Sequence, residues 1–230
     1  QLSFPFNAEA FSYWTLLFTR GEQLLGLITY MSGYLSILVV YKLAQEVTQK
    51  RGIALISALT WAAFPVVQLN FTSTRHDHPS SLLILTAIYF FYQHLKQRNL
   101  SYLALTGLAL GLSIGTNYSV AGYIPGIAIL FVLYWVVFKR ITFREMVILG
   151  GASLLAFLLF SSPVFISNMV SFGSPLGPDA LEMTSQASAL EDSSKIEHIG
   201  LMAGRWGYQI VDFQGIPEPY IGKMMQMKAV

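Results

Sequence analysis

The segment NFTSTRHDHPSS, Asn70 to Ser81, sets Arg75, His76, Asp77 and His78 in a row between two long apolar runs. Each of these residue types could do chemistry there. A carboxylate such as Asp77 can take a proton or hold a hydroxyl, and histidine can carry a proton near neutral pH. Arg75 can pair with a phosphate. Asp77 and His78 could also ligate a divalent metal, although adjacent residues alone rarely complete a site. A plainer role competes: Asp77 or His78 can cap the following helix, with Pro79 in its first turn. Capping does not explain four ionisable groups in a row beside so much apolar sequence, where such groups are usually paired and functional.

Two further polar stretches could contribute. GTNYSVAG, Gly115 to Gly122, offers the hydrogen-bonding groups of Asn117 and Tyr118, or is a simple turn. FPFNAEAFSYWTLLFTRGEQLL places Asn7 and Glu9 at the start of a short helix, Ala8 to Phe18. Glu9 in its first turn suits the helix dipole, and its alternative role is as a polar wall of the site.

The elements that must position these groups are apolar. Of 230 residues, 54% are hydrophobic and 11% charged, where a soluble domain carries about 25% charged residues. Mean hydropathy is +0.54. A bilayer core takes about 20 apolar residues as helix. Six runs approach that length: Leu24 to Tyr41, Ile53 to Phe71 with a kink at Pro65, and Leu82 to Leu95 (Pro79 to Gln97 at its fullest). Then come Leu100 to Tyr118, Val120 to Phe138, and Met146 to Met169, the last broken by Pro163. Lipid offers no hydrogen bonds, so these runs are predicted to be helices. The expected fold class is therefore all-α, a polytopic membrane helical bundle with about six spans. Residues 1–22 form the end of an outer loop with a surface helix, 23–170 the bundle, and 171–230 a polar extracytoplasmic segment. The chain starts without Met or a signal peptide and reads as a piece of a longer protein.

The charges alternate between joints. Lys42, Lys50 and Arg51 follow the first run; Lys96 and Arg98 the third; Lys139, Arg140 and Arg144 the fifth. These eight are more than half of the 14 Lys and Arg. Positive loops stay in the cytoplasm, so the chain ends and the Arg75–His78 joint are expected to face outward. Gly107, Gly111 and Gly115, each four apart, form one smooth helical stripe for close packing. Trp61, Tyr118 and Trp135 serve either as interfacial anchors or as packed rings. His94 is expected to snorkel or to be satisfied locally. There is no cysteine, which excludes disulfides and thiolate chemistry.

Four stretches, taken in order, resemble a known family. They are FPFNAEAFSYWTLLFTRGEQLLGLITYMSGYLSILVVYKLAQEV, ALTWAAFPVVQLNFTSTRHDHPSSLLILTAIYFF, LALTGLALGLSIGTNYSVAGYIPGIAIL and SSPVFISNMVSFGSPLGP. The chain is similar to the GT-C class of membrane glycosyltransferases, especially the bacterial branch of protein mannosyltransferases and lipid A aminoarabinose transferases. The resemblance implies transfer of a sugar from a polyprenyl-phosphate donor to a lipid, glycan or protein acceptor, outside the bacterial inner membrane. It places Asp77 on the second acidic position of the family, and Asn7 and Glu9 at the end of the first external loop. The principal catalytic carboxylate of such enzymes would lie upstream of Gln1. Many relatives carry Lys where Asn117 stands, which shifts the phosphate contact toward Arg75 or elsewhere.

The expected site is thus Asp77 as catalytic acid, with Arg75, His76, His78, Asn7, Glu9, Asn117 and Tyr118 binding substrate. Membrane lipids are expected partners and nucleic acid is not. No cofactor is assigned; a divalent metal at Asp77 and His78 stays open. Two other classes remain in view. A transporter would place polar groups in mid-span, whereas here ionisable residues avoid the run centres. A non-catalytic membrane scaffold would make Asp77 dispensable.

Overall fold

The computed structural model describes residues 7–20, 24, 26–71, 77–117, 120 and 122–175, and these are helical with short joints. Helix α1 covers Asn7–Thr19, close to the predicted Ala8 to Phe18. Helix α2, Leu27–Thr48, has 22 residues, about 33 Å at 1.5 Å per residue. Helices α3 (Arg51–Ala63) and α4 (Pro65–Phe71) share the second apolar run. They part at Phe64, whose ψ of 126° is extended. Pro65 causes this, because proline disfavours the helical conformation in the residue before it. Helix α5 is Asp77–Gln97 and α6 is Leu100–Ile114. Helix α7, Ile124–Val132, ends in a π-helical turn, Leu133–Val137. Helix α8, Phe143–Ala156, passes through a second π turn, Phe157–Ser161, into α9, Ser162–Phe172. The predicted break at Pro163 is thus a widened turn that ends two residues earlier in a continuous rod, with the proline in the first turn of α9.

Among the described residues, Leu27–Thr48 and Phe143–Phe172 are long and apolar enough to cross a membrane. Arg51–Ala63, Leu100–Ile114 and Ile124–Val137 are shorter apolar helices. The polar segment expected over 171–230 lies, after Pro175, outside the described residues.

The distribution of side chains is inverted relative to a domain in water. Thr29, Ser32, Ser36, Thr106 and Ser113 are buried, while Ile56, Leu159 and Phe160 are exposed and Val170 is 82% exposed. Small and hydroxyl residues between helices, with large apolar residues outside, is the pattern that lipid rather than water favours. Trp61 is packed rather than free at an interface, its Nε1 donating to Ser36 Oγ at 3.1 Å. Trp135 is partly exposed, and Tyr118 lies outside the described residues.

Helices α6 and α8 approach closely. A β-carbon on Gly107 or Gly111 would collide with the Leu149 or Ser153 carbonyl oxygen and lie 2.8 Å from the β-carbon of Ala152 or Ala156. Gly115 falls just past the helix as its C-cap. Below the stripe, Ser161 Oγ donates to the Gly111 carbonyl at 2.9 Å. The π turn presents that hydroxyl to α6.

The three cationic joints meet at one end. Lys96 Nζ contacts Glu46 Oε2 at 2.6 Å, tying α5 to α2. The Arg98 guanidinium donates to the Arg140 carbonyl, tying the α5–α6 joint to the α7–α8 joint. His94, fully buried, lies with Nδ1 2.9 Å from the Asn99 carbonyl and Nε2 3.0 Å from Glu145 Oε1. It is held inside the bundle through Nδ1, with Nε2 at ion-pair distance from Glu145 but making no hydrogen bond, and it does not snorkel. Glu145 also closes a capping box with Thr142 at the start of α8. Replacing Thr142 with Ala removes that cap and is expected to cost about 1 kcal/mol, read as a lower unfolding temperature in detergent. An unchanged transition would mean the box contributes nothing.

Candidate functional site

The end opposite the cationic joints is built by the starts of α5 and the exit of α6. Asp77 is the first residue of α5. A helix N-terminus carries unpaired N–H groups and favours a carboxylate. Ser80 Oγ donates back to the Asp77 carbonyl at 3.0 Å and steadies this turn. The α6 exit is fixed by its own backbone: Thr116 N and Asn117 N both donate to the Ser113 carbonyl, at 3.1 and 3.3 Å. Thr116 Oγ1 donates to the Leu112 carbonyl at 3.0 Å. This turn brings Asn117 to face α5, and its Nδ2 donates to Asp77 Oδ1 at 3.0 Å. Two candidates 40 residues apart in sequence therefore share one hydrogen bond.

His78 has a different position. Its ring is 2% exposed, and its Nε2 lies 2.9 Å from the Val67 carbonyl. A carbonyl only accepts, so Nε2 carries a proton and donates. The ring also packs on Phe71 at a centroid distance of 4.6 Å. His78 thereby locks the start of α5 to α4. Phe71 is held in turn by Tyr30 and Tyr34 of α2, at 5.9 and 5.3 Å, and lies against Gly33. This aromatic cluster was not singled out from sequence, although Tyr30 and Tyr34 stand one helical turn apart. Arg75, His76 and Tyr118 lie outside the described residues. Asn7 and Glu9 are the first and third residues of α1, and their side chains are outside the described set. Among the described residues no three His, Asp or Glu side chains converge as a metal site would need.

Beside this end opens an apolar groove of about 840 Å³. Its wall on α5 begins at Ser81, one turn below Asp77, and continues through Ile84, Ile88 and Phe91 to Leu95. That wall is about 21 Å long at helical rise. Trp61 and Tyr123 flank it, α2 closes it through Leu43 and Val47, and α7 through Ile127 and Phe131. Among the described residues no charged one lines it. The arrangement can hold a long apolar chain along α5 while a polar head reaches the Asp77–Asn117 pair.

A family model described as dolichyl-phosphate-mannose-protein mannosyltransferase matches residues 6–166, well over half the chain. The match includes Asp77, Asn117 and all three cationic joints. No curated protein and no solved structure gives a significant match.

Proposed function

The chain belongs to the dolichyl-phosphate-mannose-protein mannosyltransferase family, a GT-C type of glycosyltransferase, and on that premise we propose that it moves a sugar from a polyprenyl-phosphate donor to an acceptor on the extracytoplasmic face of a bacterial inner membrane. One observation supports the reading above all: the Asp77 carboxylate, held by Asn117, lies one helical turn before Ser81, where a groove begins whose described lining is uncharged and largely apolar. A donor of this class has an isoprenoid tail, a phosphate and a sugar in line. The tail suits the groove, and the sugar then meets the carboxylate.

In this proposal the bundle has six spans: α2, α3 with α4, α5, α6, α7 with its π turn, and α8 with α9. The cationic joints lie on the cytoplasmic side, by the bias of Lys and Arg toward cytoplasmic loops. Asp77 and Asn117 then lie outside. An acceptor hydroxyl attacks the anomeric carbon, its proton passes to a carboxylate, and the bond from that carbon to the carrier phosphate breaks. Asp77 acts as an active-site acid that engages a hydroxyl of the reacting sugars, and Asn117 fixes one carboxylate oxygen. Arg75 and His76 supply positive charge for the leaving phosphate, since cations aimed at developing negative charge lower the barrier. His78 positions Asp77 through Val67. Tyr118, Asn7 and Glu9 remain proposed contacts to substrate.

A groove whose described lining carries no charge is a poor ion path, which disfavours a transporter. The donor class is testable directly. Purified full-length protein is expected to transfer sugar from a polyprenyl phosphate and not from the corresponding nucleotide sugar. Transfer from the nucleotide sugar alone would overturn the donor assignment.

A further inference from the structure

The cationic end has features that sugar transfer at the other end does not use. All eight Lys and Arg of its three joints are exposed. The described acids at this end are Glu46 and Glu145. Glu145 is engaged by Thr142 and His94. Glu46 is engaged by Lys96, and Lys42 stands one helical turn before it on the same face of α2. Positive charge at this end is therefore in surplus.

The apolar groove runs into that surplus. Its walls here are Leu43 and Val47 from α2 with Tyr92 and Leu95 from α5. The Tyr92 hydroxyl donates to the Glu46 carbonyl at 3.2 Å, so a groove wall touches the residue that pairs with Lys96 and stands one turn after Lys42. The rim thus offers two ammonium groups against one carboxylate, beside an apolar channel. An amphiphile with net negative charge on its head answers both features, and a zwitterionic head answers only one.

We propose that this rim binds an anionic phospholipid, with its phosphate at Lys42 and Lys96 and an acyl chain in the adjoining part of the α5 groove. The site requires only that the bundle sits in a bilayer. It stands or falls independently of the donor assignment.

Native mass spectrometry of the full-length protein in a neutral detergent, supplied with phosphatidylglycerol or phosphatidylcholine, tests it. Phosphatidylglycerol is expected to be retained over phosphatidylcholine, and less so as salt rises. Lys42→Gln is expected to weaken phosphatidylglycerol retention about fivefold, the effect of one basic residue near a charged headgroup. Lys42→Arg keeps it. Arg144→Gln, on α8, also keeps it, because α8 forms no wall of this groove. Equal retention of the two lipids would overturn the proposal, leaving the cations as a topological signal only. So would an Arg144→Gln loss as large as that of Lys42→Gln, which would mean diffuse attraction to the whole end. Without added lipid, both glutamine variants are expected to unfold at the wild-type temperature. A lower temperature for Lys42→Gln alone would assign that lysine to the fold and overturn its role at the rim.

Discussion

Asp77→Asn is expected to lower sugar transfer by at least about 10²-fold, the lower range for losing a positioned acid or base, with little change in helix content or unfolding temperature. The substitution isolates charge from geometry. An amide oxygen can still accept from Asn117 Nδ2, as Asp77 Oδ1 does at 3.0 Å. What disappears is the negative charge and the ability to take a proton. Asn117→Ala is the complementary change: it keeps the charge and releases the carboxylate, and about a tenfold fall in kcat with KM nearly unchanged is expected if its role is orientation. Transfer at the wild-type rate in Asp77→Asn would remove this residue from the chemistry and favour a scaffold. Unfolding of the same variant would instead assign Asp77 to the end of the bundle as a structural pair.

The sequence makes some of this geometry readable and hides the rest for physical reasons. The kink at Pro65 is visible because proline restricts its neighbour wherever it stands, and Phe64 is extended as a result. The start of α5 is visible to within two residues, read at Pro79 and found at Asp77, because cap and proline signals are local. The end of the fourth run is not. Apolarity continues to Tyr118, but the chain leaves the helix after Ile114 into the turn that aims Asn117. Hydropathy measures solubility in lipid and is blind to where a backbone turns. The pairing of Asp77 with Asn117 depends on the relative heights of α5 and α6, and no local pattern encodes that. His78 shows a further limit. Beside Asp77 in sequence it reads as chemistry, yet neighbouring helical residues point about 100° apart, and its ring turns inward to Val67.

The glycine stripe was legible as a smooth face, but its partner was not, and the structure supplies the test. Gly111→Ala is expected to destabilise the bundle by about 2 kcal/mol or more, within the usual cost of overpacking. Gly151→Ala, in the adjacent helix, is expected to be neutral or to stabilise by up to about 1 kcal/mol, the helix preference of Ala over Gly. The chemical change is the same in both. At Gly151 an added β-carbon meets nothing within 4 Å, whereas at Gly111 it meets the Ser153 carbonyl, the Ala156 β-carbon at 2.8 Å and the Phe157 nitrogen at 3.0 Å. Backbone atoms cannot swing aside, so α6 and α8 must separate. Separation also strains the bond from Ser161 to the Gly111 carbonyl, made at the π turn. Because Asn117 follows α6 by only three residues, the same movement is expected to loosen its hold on Asp77 and to lower transfer in whatever protein remains folded. Thermal unfolding of the two variants side by side decides the matter. Equal stabilities would mean that α6 and α8 are not in backbone contact, and the placement of Asn117 against Asp77 would lose its support.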